Sequence, residues 1–363
     1  MIIHRAFYRE AAQVTLAIAA VLLVLILLMS LTALLGRAAR GEYSESIIPL
    51  MLGLQLLKKL DLLLGLALYL GILLTLGRWY RDNEMTVLAA CGVGLSQLLR
   101  PVFLLALVFA LAVGAVSLYF TPLASRQIEK VKSESPHRQE IGSVTPGTFM
   151  EAAGGQSIIY AAGVNPESGR LENIFVSNLK LGNQAVVVAG TAHAFTEAGT
   201  EHKYLALRNG TLYDGAPGEA DYRIVDFEAL NLRLRPKKAA AASVGIEGAP
   251  TWRLWARTDG DHAAELHWRL AKPVAVFVLA AFALVLAYTD PRRGRLTNLF
   301  AAILVYFIYS NLLGLGQTLI KKGVVPPALG LWWVHVGLAL IAFYLFARRS
   351  ANKPLLSLPA RAR

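Results

Sequence analysis

The side chains able to do chemistry form two small groups, one acidic and one basic. Asp82 and Glu84 open the run DNEMTVLAACGVG at 82–94. Asp82 or Asn83 can cap a short helix, and Glu84 then falls in its first turn, where a carboxylate suits the helix dipole. Gly92 and Gly94 would end that helix. Met85 and Leu88 give it an apolar side. Such a segment can dock: flat on a membrane surface, or in the groove of another protein with Glu84 paired to that partner's cation. The residues alone leave both open. The basic group is Arg37, Arg40, Lys58, Lys59, Lys321 and Lys322, each bordering an apolar run. Singly they are interfacial side chains reaching for water. Together they would suit an amphiphile with an anionic head and many acyl chains. One exposed contact is worth only about 1 kcal/mol, so only a cluster would hold the head.

Nothing else assembles a reacting centre. The chain has no P-loop, no zinc-ligand spacing and no nucleophile elbow, so no catalytic residue, no metal site and no resident cofactor is assigned. His262 and His267 are five positions apart and would not share a helix face. Cys91 is the single cysteine, so an exported part of the chain must fold without a disulfide.

The elements that must position these groups follow from six uncharged apolar stretches, 11–36, 62–77, 101–125, 273–289, 296–320 and 323–347. An uncharged run of about 20 residues is what a helix needs to cross a bilayer about 30 Å thick. The stretches 62–77 and 273–289 are short and would borrow flanking residues. The first is too long for a signal peptide and stays as an anchor. The composition agrees, with 55% hydrophobic residues and a mean hydropathy of +0.49. The net charge of +12 could suggest a nucleic-acid partner, but residues 122–272 hold 17 basic and 17 acidic side chains. The whole excess therefore lies in the apolar halves and their short loops, which is a topology signal. Loops on the side of the N-terminus carry thirteen Lys and Arg against six on the other side, placing both termini in the cytoplasm. None of the six stretches has a charge near its middle, which argues against ion-coupled carriage. Ala106, Ala110 and Gly114 form a stripe for close helix approach, and Gly65, Gly71, Gly314 and Gly316 would also permit contact or bending.

The polar insert reads as short strands at 156–163, 171–180, 184–196, 202–208, 210–214 and 222–234, separated by NPESG, LGN, EAGTE, RNG and DGAPGEAD. That spacing predicts an antiparallel sandwich or jelly roll. Runs such as Ile158–Ile159–Tyr160 and Val186–Val187–Val188 are apolar on both faces. They fit an ordinary core as well as a groove for acyl chains. A linker follows at 236–250. Trp252, Trp255 and Trp268 with Arg253, Arg257 and Arg269 then suggest an interfacial helix. The expected fold is thus an α-helical integral membrane protein with six transmembrane helices, three and three, around an all-β jelly roll. Its parts are 1–125, 126–250 and 251–363.

At this point the chain resembles a known family, the lipopolysaccharide export permeases, and their F subunit more than the paralogous G. The residues that carry the likeness are the opening Met1-Ile2-Ile3-His4-Arg5 with Arg9-Glu10, NEMTVLAACG (83–92), AELHWR (264–269) and DPRRGR (290–295), in that order around a β insert. The resemblance implies a non-catalytic subunit of an ATP-driven ABC complex of the bacterial inner membrane. Such a subunit extracts lipopolysaccharide from the outer leaflet and passes it through a periplasmic jelly roll towards the outer membrane. It also implies the partners: a G-type permease, a dimeric cytoplasmic ATPase that holds ATP and Mg, and a bitopic C subunit met through the jelly roll. By the same likeness 82–92 is the coupling helix and Glu84 its contact to the ATPase. Family members often carry cations within the outer part of the first span. Met29, Ser30 and Ala33 stand there in this chain, and cations begin only at Arg37. The competing reading from the residues is a membrane scaffold or signalling protein with an exported ligand-binding β domain.

Overall fold

A computed structural model describes residues 2–39, 45–134, 146–147, 149–152, 157–165, 170–179, 185–196, 203–215, 223–234, 245–256, 259–288 and 295–351. They fall into two compact units, 1–30 with 52–128 and 244–363, and 31–51 with 129–243.

The first unit is helical. Its elements are α1 (Ile2–Ala39) as far as Ser30, α2 (Ile48–Arg81) from Leu52, α3 (Glu84–Ala90), α4 (Leu95–Ala115), α5 (Thr121–Glu134) as far as Ile128, α6 (Thr251–Trp255), α7 (Gly260–Leu286), α8 (Arg295–Lys321) and α9 (Trp332–Ser350). A wide π-type turn at Val116–Phe120 joins α4 to α5 without a break. At the centre is α7, which packs on α4, α8 and α9. Alanine makes that possible: Ala264, Ala271, Ala280 and Ala283 are buried and let neighbouring backbones approach. The stripe Ala106–Ala110–Gly114 of α4 is buried too, and a side chain at Gly114 would meet Pro273 of α7 at 3.8 Å. Phe103 stacks on Phe277 across the same seam, with ring centroids 6.2 Å apart.

Of the four other glycines singled out above, two are used for contact. A Cβ at Gly71 would lie 2.0 Å from Thr15 Oγ1 of α1, and one at Gly316 would lie 2.6 Å from Leu331. Gly65 has ordinary clearance and Gly314 has open space.

Among the described residues five helices are long and apolar enough to cross a membrane: α1, α2, the continuous α4–α5, α7 and α8. The sixth stretch differs from expectation. Pro326 and Pro327 with Gly323 and Gly330 at positive φ keep 322–331 out of the helix, leaving α9 with 19 residues. The second stretch differs in the other direction. Its helix begins at Ile48, fourteen positions before Leu62, and so takes Lys58, Lys59 and the buried Asp61 into α2. The expected interfacial helix is one turn, α6, followed by the start of α7. Trp252 and Trp255 are exposed there, but Arg269 is 1% exposed and belongs to the core.

The second unit holds one antiparallel sheet of β1 (Phe149–Ala152), β2 (Ser157–Val164), β3 (Leu171–Leu179), β4 (Ala185–Thr196), β5 (Lys203–Asp214) and β6 (Arg223–Leu234). Its order is β1-β2-β3-β4-β5-β6, every neighbour consecutive. The crossovers of a sandwich or jelly roll do not occur among the described strands. The break read at Arg208–Asn209–Gly210 is also absent. Asn209 takes a left-handed φ of 51° and β5 runs on through it. Asn173 in β3 does the same at 48°, and Gly190 of β4 lies between them in the register. Along this line the inward alternation slips by one: Leu171 then Ile174, Ala189 then Ala192. The buried cluster continues on both sides of this line, with Ile159, Val176, Val187, Leu205 and Leu207 among its members. Gly210 beside Asn209 is obligatory, since a Cβ would sit 2.3 Å from the Val188 carbonyl.

Candidate functional site

The helical unit carries two polar centres along α2, one near Lys58 and one near Arg78. Twenty residues of helix separate them, a rise of roughly 30 Å.

At the Lys58 end, charge gathers around two carboxylates. Asp61 is nearly inaccessible and accepts a 2.6 Å hydrogen bond from Lys272 of α7, with Thr121 Oγ1 at 3.5 Å. Its other oxygen accepts from the Leu62 amide. Glu247, just before α6, pairs with Lys58. That hydrogen bond holds the Glu247 carboxyl below the usual carboxylate value against partial loss of water, and the charges of Lys58, Lys321 and Lys272 add to it. So Lys58 and Lys321 converge with Lys272, which was not anticipated. Lys59 turns elsewhere, donating to Ser30 of α1 at 3.3 Å. It stands over a groove of about 240 Å³ between α1 and α2, lined by Leu23, Ile26, Leu56, Leu57 and Leu60. Lys322 is exposed beyond α8. Arg37 lies in the last turn of α1, within the other unit, and Arg40 lies outside the described residues. Of these ammonium groups Lys59 alone borders the groove, while Lys58 is paired with Glu247 and Lys272 with Asp61.

Arg269 braces this end. Its Nε donates to Glu265 at 2.8 Å. Nη1 donates to the Ala249 carbonyl and Thr251 Oγ1, and Nη2 to the carbonyls of Ile246 and Glu247. A planar fork with five donors suits that cage and a lysine would not. The loop holding Glu247 is thereby fixed to α7.

At the other end, α3 is set by its own termini. Asn83 occupies the capping position in a left-handed conformation, φ 59°, and makes no side-chain cap, contrary to expectation. Gly92, at φ 82°, closes the helix: its amide donates to Ala89 O, and Val93 donates to Leu88 O at 2.8 Å. That double closure is a Schellman motif. Met85 is 6% exposed and Leu88 packs on the core, so these two seat the helix. The exposed face is Thr86, Val87, Ala89, Ala90 and Cys91. Glu84 forms an ion pair with Arg78 at 3.1 Å, and Asp82 accepts a hydrogen bond from Arg78 at 3.2 Å. Arg78 also grips both Glu10 oxygens at 2.7 Å, and Trp79 Nε1 donates to Glu10 at 2.7 Å. Arg78 and Glu10 were missed as a site because each reads, in sequence, as a loop charge. No group of His, Cys, Asp and Glu able to hold a metal occurs among the described residues. His262 pairs with Asp259 and His267 meets the Pro327 carbonyl.

Known proteins resemble this chain in sequence over nearly its whole length. The chain matches the description of the lipopolysaccharide export system permease LptF/LptG over residues 5–348. It is 29% identical over 354 residues to the lipopolysaccharide export system permease protein LptF of Escherichia coli (strain K12), covering 95% of this chain and 94% of that protein. The same figures hold for the protein of that name in Shigella flexneri. A match over nearly the whole length, insert included, leaves no room for an unrelated scaffold, and the chain belongs to the LptF/LptG family of lipopolysaccharide export permeases.

Proposed function

We propose that this permease is the non-catalytic membrane subunit of an ATP-driven complex that lifts lipopolysaccharide out of the inner membrane. In this reading α9 completes six crossings, both termini face the cytoplasm and the β unit lies in the periplasm. The antiparallel sheet is the element that meets the bitopic C subunit. A G-type permease is the paired subunit, and the sparsely covered faces of α1 and α8, with Leu16, Val24 and Phe307 exposed, suit such a neighbour. ATP and Mg belong to a dimeric cytoplasmic ATPase.

The observation that carries the reading is α3: seven residues held at both ends, seated by Met85 and Leu88, with an open face beside Glu84 and Asp82. A rigid apolar patch edged by carboxylates suits a groove edged by cations. The ammonium groups of Lys58, Lys59, Lys321 and Lys322, with Arg37 and Arg40, are the head-group candidates. Affinity purification of the wild-type permease should bring down an ATPase, and Glu84→Ala should lose it while the spans stay folded. A photo-crosslinker at Lys321 should label lipopolysaccharide. Retained ATPase in the variant, or label on bulk phospholipid alone, would reject the respective assignment.

A further inference from the structure

We propose that Arg78 is the positioning residue that links α3 to α1, so that displacement of the docking helix is passed to the helix least covered by the rest of its unit. The inference rests on the reading of α3 as the ATPase-docking segment.

Arg78 is the one described side chain that touches the carboxylates of both elements. Its Nη1 holds Asp82 and Glu84, at 3.2 and 3.1 Å, and its Nη2 holds Glu10 at 2.7 Å to each oxygen. Trp79 repeats the attachment from the next position: its ring nitrogen donates to Glu10, and its face meets Phe7 edge-on at 6.0 Å between centroids. Phe7 and Ala11 are fully buried, so the start of α1 is gripped. Beyond it, Leu16, Val21, Val24, Leu25 and Leu28 are exposed. A helix held near its start and open along its length follows whatever moves that start. A guanidinium can serve two carboxylate groups at once because its donors are fixed in a plane; an ammonium has no such fork. When a partner cation takes Glu84, Arg78 keeps Glu10 and Asp82, the latter in the turn that leads into α3, so the entry to α3 stays joined to α1 while Glu84 changes hands.

The test uses the whole complex, permeases with their ATPase, reconstituted in proteoliposomes loaded with lipopolysaccharide. Three quantities are read: ATPase retained on purification, ATP hydrolysed, and lipopolysaccharide released per ATP. Glu10→Gln should retain the ATPase and its hydrolysis but lower release per ATP about fivefold, a size usual for coupling between sites, and Arg78→Ala should lower release per ATP at least as much. The double variant should be no worse than Arg78→Ala alone, and Arg78→Lys should not recover release. Glu10→Gln keeps Arg78 beside Asp82 and Glu84, so it reports on the link even if Arg78→Ala misfolds. Unchanged release per ATP in Glu10→Gln, additive losses, or loss of the ATPase from that variant would each overturn the proposal. Failure of the wild type to retain an ATPase would instead reject the function proposed above.

Discussion

The Asp61 carboxylate and the Lys272 ammonium meet at 2.6 Å, joining α2 to α7 through two charges that the apolar stretches on either side conceal. Asp61 is 2% exposed and Lys272 19%, so neither is paired mainly with water. Removing one partner leaves the other buried and uncompensated.

Asp61→Ala should therefore destabilise the helical unit by about 3 kcal/mol, read as unfolding in detergent. Asp61→Leu combined with Lys272→Met should regain most of that loss, because an apolar pair of similar volume needs no desolvation. A loss below about 1 kcal/mol in the single variant would mean that the pair is solvated.

The Lys58–Glu247 contact should depend on pH. The folded carboxyl sits below its ordinary value of 4.5, so its contribution is present above that value and disappears as pH falls through the folded one. The melting temperature of the wild type should exceed that of Glu247→Gln at neutral pH, and the two should converge in acid. Both side chains are more than a third exposed, so the difference should be small and should shrink with salt. A difference that grows in acid would reverse the assignment.

Gly71→Ala should loosen α1 from α2. The added carbon would lie 2.0 Å from Thr15 Oγ1 and 3.0 Å from Thr15 Cα. Overpacking of this kind costs about 1–3 kcal/mol. Pairing it with Thr15→Ala should rescue only in part, since the backbone contact stays. Cysteine cross-linking between Phe7 and Trp79 positions would report the separation, and unchanged cross-linking would show that the helices adjust freely.

Much of this was legible because it is local. The small stripe of α4 needed only its four-residue spacing, and the Schellman closure of α3 needed only Gly92. What sequence could not supply were partners far along the chain. Glu10 and Arg78 are 68 positions apart, and Asp61 and Lys272 are 211 apart. Asp61 ends the uncharged stretch in sequence, although α2 continues through it because Lys272 neutralises its charge. Arg269 was read as an interfacial cation because of the tryptophans around it, but backbone carbonyls surround it instead. In the sheet, Arg208–Asn209–Gly210 has the composition of a turn, and neighbouring strands override it by pairing on both sides of Asn209.

The wide turn at Val116–Phe120 sets an angular phase for everything after it. It places Ser117 to donate to the Arg269 carbonyl and Thr121 to face Asp61. An α-helix advances about 100° per residue, so deleting one residue here would regularise the coil and swing Thr121, Ala124 and Ser125 a quarter-turn or more away from their buried seats. The surplus residue is thus a rotational setting, and the length of this segment, more than its composition, is what α7 reads.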